Sequence, residues 1–441
     1  MNLSAYSPGL RRLAVPERPV TGRRPWLDHW LESVRDLSDL KASHPMMDAV
    51  IDEIDGRMIR IGDHWLADFA SCNYLGFDLD REIIEAVPAY LDRWGTHPSW
   101  SRLLGSPAIY EEIEERLTAL LGAEDTLLLP TITHIHMSVI PLLAASGTIF
   151  MDARAHKTIY DGCQVARARG AAVKRFRFED ADHLDELLSA ERDATRLVVM
   201  DGVNSMTGNA PDIAAFARVA REHGALLYVD DAHGFGVIGE RPDAAMPYGY
   251  RGNSVIRHAG ETYDNVVLVG GFSKAYSSLL AFIACPTDVK DLLKVAAPPY
   301  LYSGPSPVAS LATVLAGLDV NERRGDEVRA RLQRLTARIL GALRRLGVAT
   351  PNRSGFPIVE VPLRDHTRIG LVGEALFRRG VYVTLAAFPL VPKHEVGFRL
   401  QVTAANTDAE VDRLIAALEE LAVGGELRSA QSAAERGGLA A

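Results

Sequence analysis

LYVDDAHGFG, residues 227–236, is the stretch whose reading decides the fold. Leu226, Leu227, Tyr228 and Val229 form a short apolar run of the kind that a parallel sheet buries on both faces. The run delivers Asp230, Asp231 and His233 at its C-terminal end, the edge at which open α/β sheets hold ligands. A second apolar run, 266–269, leads into Gly-Gly-Phe-Ser-Lys and sets Lys274 on a turn at the corresponding edge. A carboxylate, an imidazole and an amine thereby meet at one crevice.

Outward from this stretch, short apolar runs alternate with amphipathic ones, as in a mostly parallel sheet with helical crossovers. Strands are predicted at 126–129, 148–151, 173–178, 197–200, 225–229, 266–269 and 280–284. Helices are predicted at 108–121, 131–145, 155–169, 183–190 and 213–223. The fold class is α/β, with a large domain at 61–305 preceded by an N-terminal extension and arm at 1–60. In that arm, 26–40 has the spacing of one amphipathic helix. PPYLYSGPSP, 298–307, interrupts the pattern, and a long helix at 306–346, bent near Gly325, links to a smaller α+β domain at 347–423. There, strands at 358–362, 382–385 and 397–403 alternate with helices at 369–379 and 408–421. The small, polar segment 424–441 reads as a disordered tail.

Composition narrows the function. The 441 residues carry 48 Lys plus Arg against 57 Asp plus Glu, and the net charge of −9 offers no electrostatic footprint for nucleic acid. Cys72, Cys163 and Cys285 lack metal-ligand spacing and suit a reducing compartment, so no metal is expected. With neither a signal-like apolar run at the start nor a run of membrane-spanning length later, a cytoplasmic protein without a membrane span is expected. A carboxylate that keeps a pyridine nitrogen protonated, together with a lysine that forms a Schiff base, is the protein half of pyridoxal 5'-phosphate chemistry.

Seven collinear motifs extend the reading: NYLG (73–76), SRLLGS (101–106), HKTIYDG (156–162), DGVNSMTGN (201–209), VDDAHGFGVIGE (229–240), FSKA (272–275) and RLQVTAAN (399–406). With these, the chain resembles the α-oxoamine synthases, a branch of the fold-type I pyridoxal phosphate enzymes. The resemblance implies that Lys274 carries the Schiff base and later moves the substrate α-proton. It implies that Asp230 pairs with the pyridine nitrogen, His233 bonds the ring's phenolic oxygen, His156 stacks on the ring and Ser205 lies near that oxygen or the phosphate. Arg399 matches the arginine that clamps the amino acid's carboxylate, with Asn73 assisting from the first domain. The implied reaction is a decarboxylative condensation of a small amino acid with an acyl thioester, in a homodimer with shared sites. An aminotransferase or decarboxylase on the same fold, or a non-catalytic subunit, are the alternatives.

The chain also departs from the family pattern. The family's Ser-Gly-Tyr or Ser-Gly-Phe at the start of the phosphate-side helix is Thr131-Ile132-Thr133, whose backbone N–H groups and hydroxyls remain suited to an anion. The threonine three residues before the lysine is Gly271, so Ser273, or Ser303 from a partner subunit, is expected to supply the missing hydroxyl. A glycine-rich segment is replaced by Ser277-Ser278-Leu279-Leu280 near the acyl channel. His134 and His136 stand where the family mostly has Ala and Asn.

Overall fold

The computed structural model describes residues 25–430. Within them the chain forms β1 (Glu53–Asp55), β2 (Met58–Ile61), β3 (His64–Phe69), β4 (Asp125–Leu129), β5 (Thr148–Asp152), β6 (Ala172–Phe176) and β7 (Arg196–Asp201). There follow β8 (Leu226–Asp230), β9 (Val266–Gly271), β10 (Ala281–Cys285), β11 (Ile358–Pro362), β12 (Val381–Ala386) and β13 (Gly397–Gln401).

The large sheet has seven strands in the order β4-β10-β9-β8-β7-β5-β6. Only β10 runs against its neighbours, pairing antiparallel with β4 and β9, while β9, β8, β7, β5 and β6 are mutually parallel. The mostly parallel sheet expected from the sequence is therefore present. Its strands are apolar because both faces are covered. Leu227 and Val229 pack into one layer with Phe216, Phe235 and Phe282, and Tyr228, between them in sequence, packs into the other with Ile135, Val139 and Cys163. Each fully buried side chain of this kind contributes about 1.5–3 kcal/mol.

The α/β rule then places the site. Parallel strands β7 and β8 end together, with Asp201 opposite Asp230 in register. The chain leaves β8 through a turn in which Gly236 has φ 84°, and a Cβ there would stand 2.7 Å from Cβ of Ala275. The His233 turn can thus lie directly against the Lys274 turn.

The second sheet has six strands, β1-β2-β3-β12-β13-β11, and mixes the two ends of the chain. β3 pairs in parallel with β12, Ala67 opposite Val381. This corrects the boundary expected at residue 60, because β3 belongs with the small domain's sheet and β1 and β2 extend it. The sequence signal was ambiguous, since a half-buried β3 reads equally well as an edge of either domain. The joint is closed by the NYLG turn, where Ala404 N donates to Tyr74 O at 2.7 Å and Asn406 Nδ2 donates to Asp68 O at 3.2 Å.

Other expectations also change. The single helix expected at 26–40 is two, Pro25–Ser33 and Arg35–Ser43. The long helix Val308–Arg345 runs unbroken through Gly325. Of the tail expected to be disordered, 424–430 is ordered, since Leu427 bridges to Leu363 and Ser429 to Val348; 431–441 lie outside the described residues. No helix among the described residues is long and apolar enough to cross a membrane.

Candidate active site

A cleft of about 310 Å³ opens at the C-terminal ends of β7, β8 and β9. Lys274, Asp230, His233, His156, Ser205, Ile132, Thr133 and Ser273 all line it. The structure thus gathers eight of the eleven residues singled out from the sequence. Arg399 stands beside the cleft, bonded through Nη1 to the carbonyl of Ser205 at 2.6 Å. Asn73 does not line the cleft, and its amide donates to Asp78 Oδ2 at 3.0 Å. Ser303, in the segment after the helix Pro298–Leu301, does not line it either.

Asp230 is the best-held group. Its Oδ1 accepts from Ala232 N at 2.9 Å, and its Oδ2 lies 2.9 Å from Nε2 of His136. The other ring nitrogen of His136 lies 2.9 Å from the Tyr228 hydroxyl. Burial alone would raise this carboxyl, but the His136 imidazole and the Lys274 charge outweigh it and hold the group at about 2. Asp201, its register partner, goes the other way: burial, and then the charge of Asp230, push it well above the usual carboxylate range. Two neighbouring carboxyls are thereby driven apart, one downward and one upward.

His233 is buried, with Nδ1 2.8 Å from the Tyr74 hydroxyl, and burial followed by the Lys274 charge lowers it well below the ordinary imidazole range. A neutral imidazole anchored at Nδ1 has its other nitrogen available for a ligand oxygen. His156 caps the helix Lys157–Ala168, its Nδ1 2.8 Å from the Thr158 hydroxyl and its backbone N donating to Asp201 at 3.0 Å. The Lys274 carbonyl accepts from Ser277 N at 3.0 Å, while its side-chain amine has no hydrogen bond or ion pair among the described residues.

Thr131 caps the helix Ile132–Ala144, its hydroxyl accepting from His134 N. The first-turn N–H groups of Ile132 and Thr133 have no backbone acceptor and border the cleft, the arrangement that favours an anion. Gly271 and Ile132 turn out to be one feature: a Cβ at Gly271 would stand 2.7 Å from Ile132 Cδ1, so the isoleucine occupies the space that a side chain at 271 would need. Ser277 holds φ 55°, a left-handed conformation that costs a non-glycine residue energy, next to the lysine turn. Leu279, 57% exposed, lines the cleft mouth.

Residues 66–418 match the family described as Aminotransferase class I and II. The chain belongs to the class I and II aminotransferase family. Within this family it is similar to the 8-amino-7-oxononanoate synthase of Chromohalobacter salexigens, 36% identical over 80% of this chain and 88% of that protein. It is also similar to the serine palmitoyltransferase of Caulobacter vibrioides, 31% identical over 79% and 84% respectively. The structure of Sphingomonas wittichii serine palmitoyltransferase covers 92% of this chain and 99% of its own at 26% identity, with a TM-score of 0.82. A further serine palmitoyltransferase structure, holding PLP, is 25% identical and covers 90% of this chain and 98% of its own, with a TM-score of 0.82. These likenesses place the chain in the α-oxoamine synthase branch of the aminotransferase family.

Sequence reasoning missed four members of the site. His136 was noted only as a departure from the family pattern, and its helix carried no sign that it would reach Asp230. Tyr228 lies two residues before Asp230 in the same strand and so shares its face, a signal that was present. Asp201 and Tyr74 lie inside motifs already recognised, where register and burial, not residue type, give them their parts.

Proposed function

We propose that the protein condenses a small amino acid with an acyl thioester, with loss of the amino acid's carboxyl as CO₂, to give an α-amino ketone. The observation that carries this reading is the convergence of an unpaired Lys274, an ionised Asp230 and a neutral His233 on one cleft, in a chain whose relatives are named for such condensations.

The residues present fit pyridoxal 5'-phosphate. The open N–H groups of Ile132 and Thr133 suit its phosphate, Asp230 its ring nitrogen, His233 its phenolic oxygen and Lys274 its aldehyde carbon. When bound, the cofactor accepts the electrons left on the amino acid's α-carbon.

The chain's own residues supply the rest. Asp230 stays ionised across the physiological range, so it keeps a proton on whatever basic nitrogen it faces. Lys274 takes and returns the α-proton. His156, fixed by its helix cap, orients the acyl carbonyl. Arg399 receives the substrate carboxylate on a guanidinium that no carboxylate among the described residues pairs with. Asn73 assists from the first domain. The catalytic roles are therefore assigned to Lys274, His156 and Asp230, and substrate binding to Arg399 and Asn73.

We further infer a cytoplasmic homodimer with shared clefts, in which Ser303, or Ser273 from the same chain, supplies the hydroxyl that Gly271 lacks. Tyr302, 82% exposed and adjacent to Ser303, is a large group that a second copy would cover.

The test is to incubate the pyridoxal-phosphate-loaded protein with a panel of amino acids and acyl thioesters. Thiol release that requires both substrates, with an equal amount of labelled carboxyl carbon lost as CO₂, is the expected result. Keto acid and pyridoxamine phosphate formed from the amino acid alone would overturn the reading in favour of an aminotransferase.

A further inference from the structure

A second cavity, of about 250 Å³, lies where the two domains meet, and the cofactor reading makes no use of it. Thr207 and Arg154 of the large domain line it, against Glu360, His394, Glu395 and Arg428 from the C-terminal part of the chain. Glu360 is only 3% exposed, and its carboxylate makes no hydrogen bond among the described residues. A buried acid without a donor is an unusual thing for a fold to keep.

Its position gives the reason. In the antiparallel pair β11–β13, Glu360 stands directly opposite Arg399, and on the other side of Arg399 the strand β12 places Thr384 opposite it. Directly opposed residues project to the same face of a sheet. One lateral row of the small sheet therefore reads Glu360, Arg399, Thr384. The row faces the Ser205–Thr207 loop, since Arg399 bonds the Ser205 carbonyl and Glu360 shares its cavity with Thr207.

The guanidinium and carboxylate are neighbours but not an ion pair. The other charges facing Glu360 are Glu395, Arg154 and Arg428, with His394 on the cavity wall; Glu395 is itself paired with Arg154.

We propose that Glu360 is the resident counter-charge of Arg399 and takes up a proton when a substrate carboxylate docks on that guanidinium, so that amino-acid binding is proton-coupled. The inference rests on the assignment of Arg399 as the carboxylate clamp. Before docking, one anion and one cation share the row. Docking brings a second anion to the same cation, and two carboxylates in a low-dielectric setting do not both remain ionised. The exchangeable ligand must stay charged to be held, so the proton, drawn from solvent, goes to the buried acid. Burial, and then Glu395, already push Glu360 up to about 7, against the pull of Arg154, Arg428 and Arg399, so the change falls near neutrality. Glu360 is a positioning residue here, acting on the substrate through Arg399.

The sign follows from linkage. A raised carboxyl is protonated below its own value, where docking needs no proton; as pH rises through that value the uptake must be drawn from an increasingly scarce supply and affinity falls.

The experiment uses the pyridoxal-phosphate-loaded enzyme and propionate, a carboxylate with no amine to react. Calorimetry in two buffers of different ionisation enthalpy should show uptake of up to about one proton per site slightly above neutrality. The dissociation constant should rise about five- to tenfold between about pH 6.5 and 8.5. Glu360→Gln should abolish the uptake and flatten the profile, while Glu395→Gln, which removes the neighbouring like charge, should move the profile to lower pH and serves if the first variant does not fold. Binding without proton uptake in the unsubstituted enzyme, or uptake that persists in Glu360→Gln, would overturn the inference while leaving the clamp intact. Propionate binding undiminished by Arg399→Ala would instead overturn the clamp assignment, and the inference with it.

Discussion

Asp230 and Arg399, the two charged groups on which the proposed chemistry depends, are held in opposite ways. Both oxygens of Asp230 have partners, and its histidine partner is braced in turn by Tyr228. Arg399 has a carbonyl at Nη1 and a methionine sulfur at 3.8 Å, its Nε is buried without a partner, and the acid across the strand stands off from it. A cofactor that stays through many turnovers is served by a fully satisfied anchor. A substrate that leaves at every turnover is served by donors kept open. The difference between these two groups is one of satisfaction, with Asp230 held on every side and Arg399 left with an open Nε.

The comparison can be broken most decisively at the residue between the two halves. Lys274→Ala should reduce two-substrate thiol release by at least about 10⁴-fold, because one amine supplies both the covalent link and the proton transfer. Borohydride treatment of the loaded protein should label the peptide containing Lys274 and nothing in the variant. On the open side, Arg399→Ala should raise the amino acid's dissociation constant by about 30-fold or more while the cofactor stays bound, since stranding a charge costs about 2–5 kcal/mol. Equal loss of cofactor and substrate would erase the distinction between the halves.

On the closed side, His136→Asn should weaken cofactor binding by about tenfold, as expected for a hydrogen bond to a charged group, and should leave amino-acid affinity in the loaded enzyme within about twofold. Equilibrium dialysis of the cofactor checks the first value and a spectral titration the second. The smallest effect concerns the floor between them. Gly271→Thr should lower the melting temperature by about 2 °C through contact with Ile132, and adding Ile132→Gly should reverse most of that loss. Additive losses in the double variant would mean that the two positions are independent.

The two halves also differ in how far they were legible in the sequence. Strand ends β7 to β9 and the groups they carry follow from local patterns, since an apolar run of five residues ending in Asp-Asp-Ala-His has few other readings. The small sheet does not, because β3 and β12 are more than 300 residues apart and nothing local in His64–Phe69 names its partner. For the same reason the contact of His136 with Asp230 was hidden: it depends on the height of a helix above a sheet, which residue spacing along either element does not encode. Departures that look independent in sequence, Ile132 and Gly271, are a single steric exchange in space.

The mixed parentage of the six-stranded sheet has a consequence during synthesis. The seven strands of the large sheet, and with them Asp230, His233 and Lys274, are all translated by residue 285, while β1 to β3 must wait at the other end for β12 and β13. A ribosome that has released the first two thirds of the chain therefore carries a near-complete cofactor floor beside strands whose edges are still bare. Filling those edges, and supplying Arg399, the proposed carboxylate clamp, must follow once β12 and β13 emerge, so the small sheet is completed after the large one.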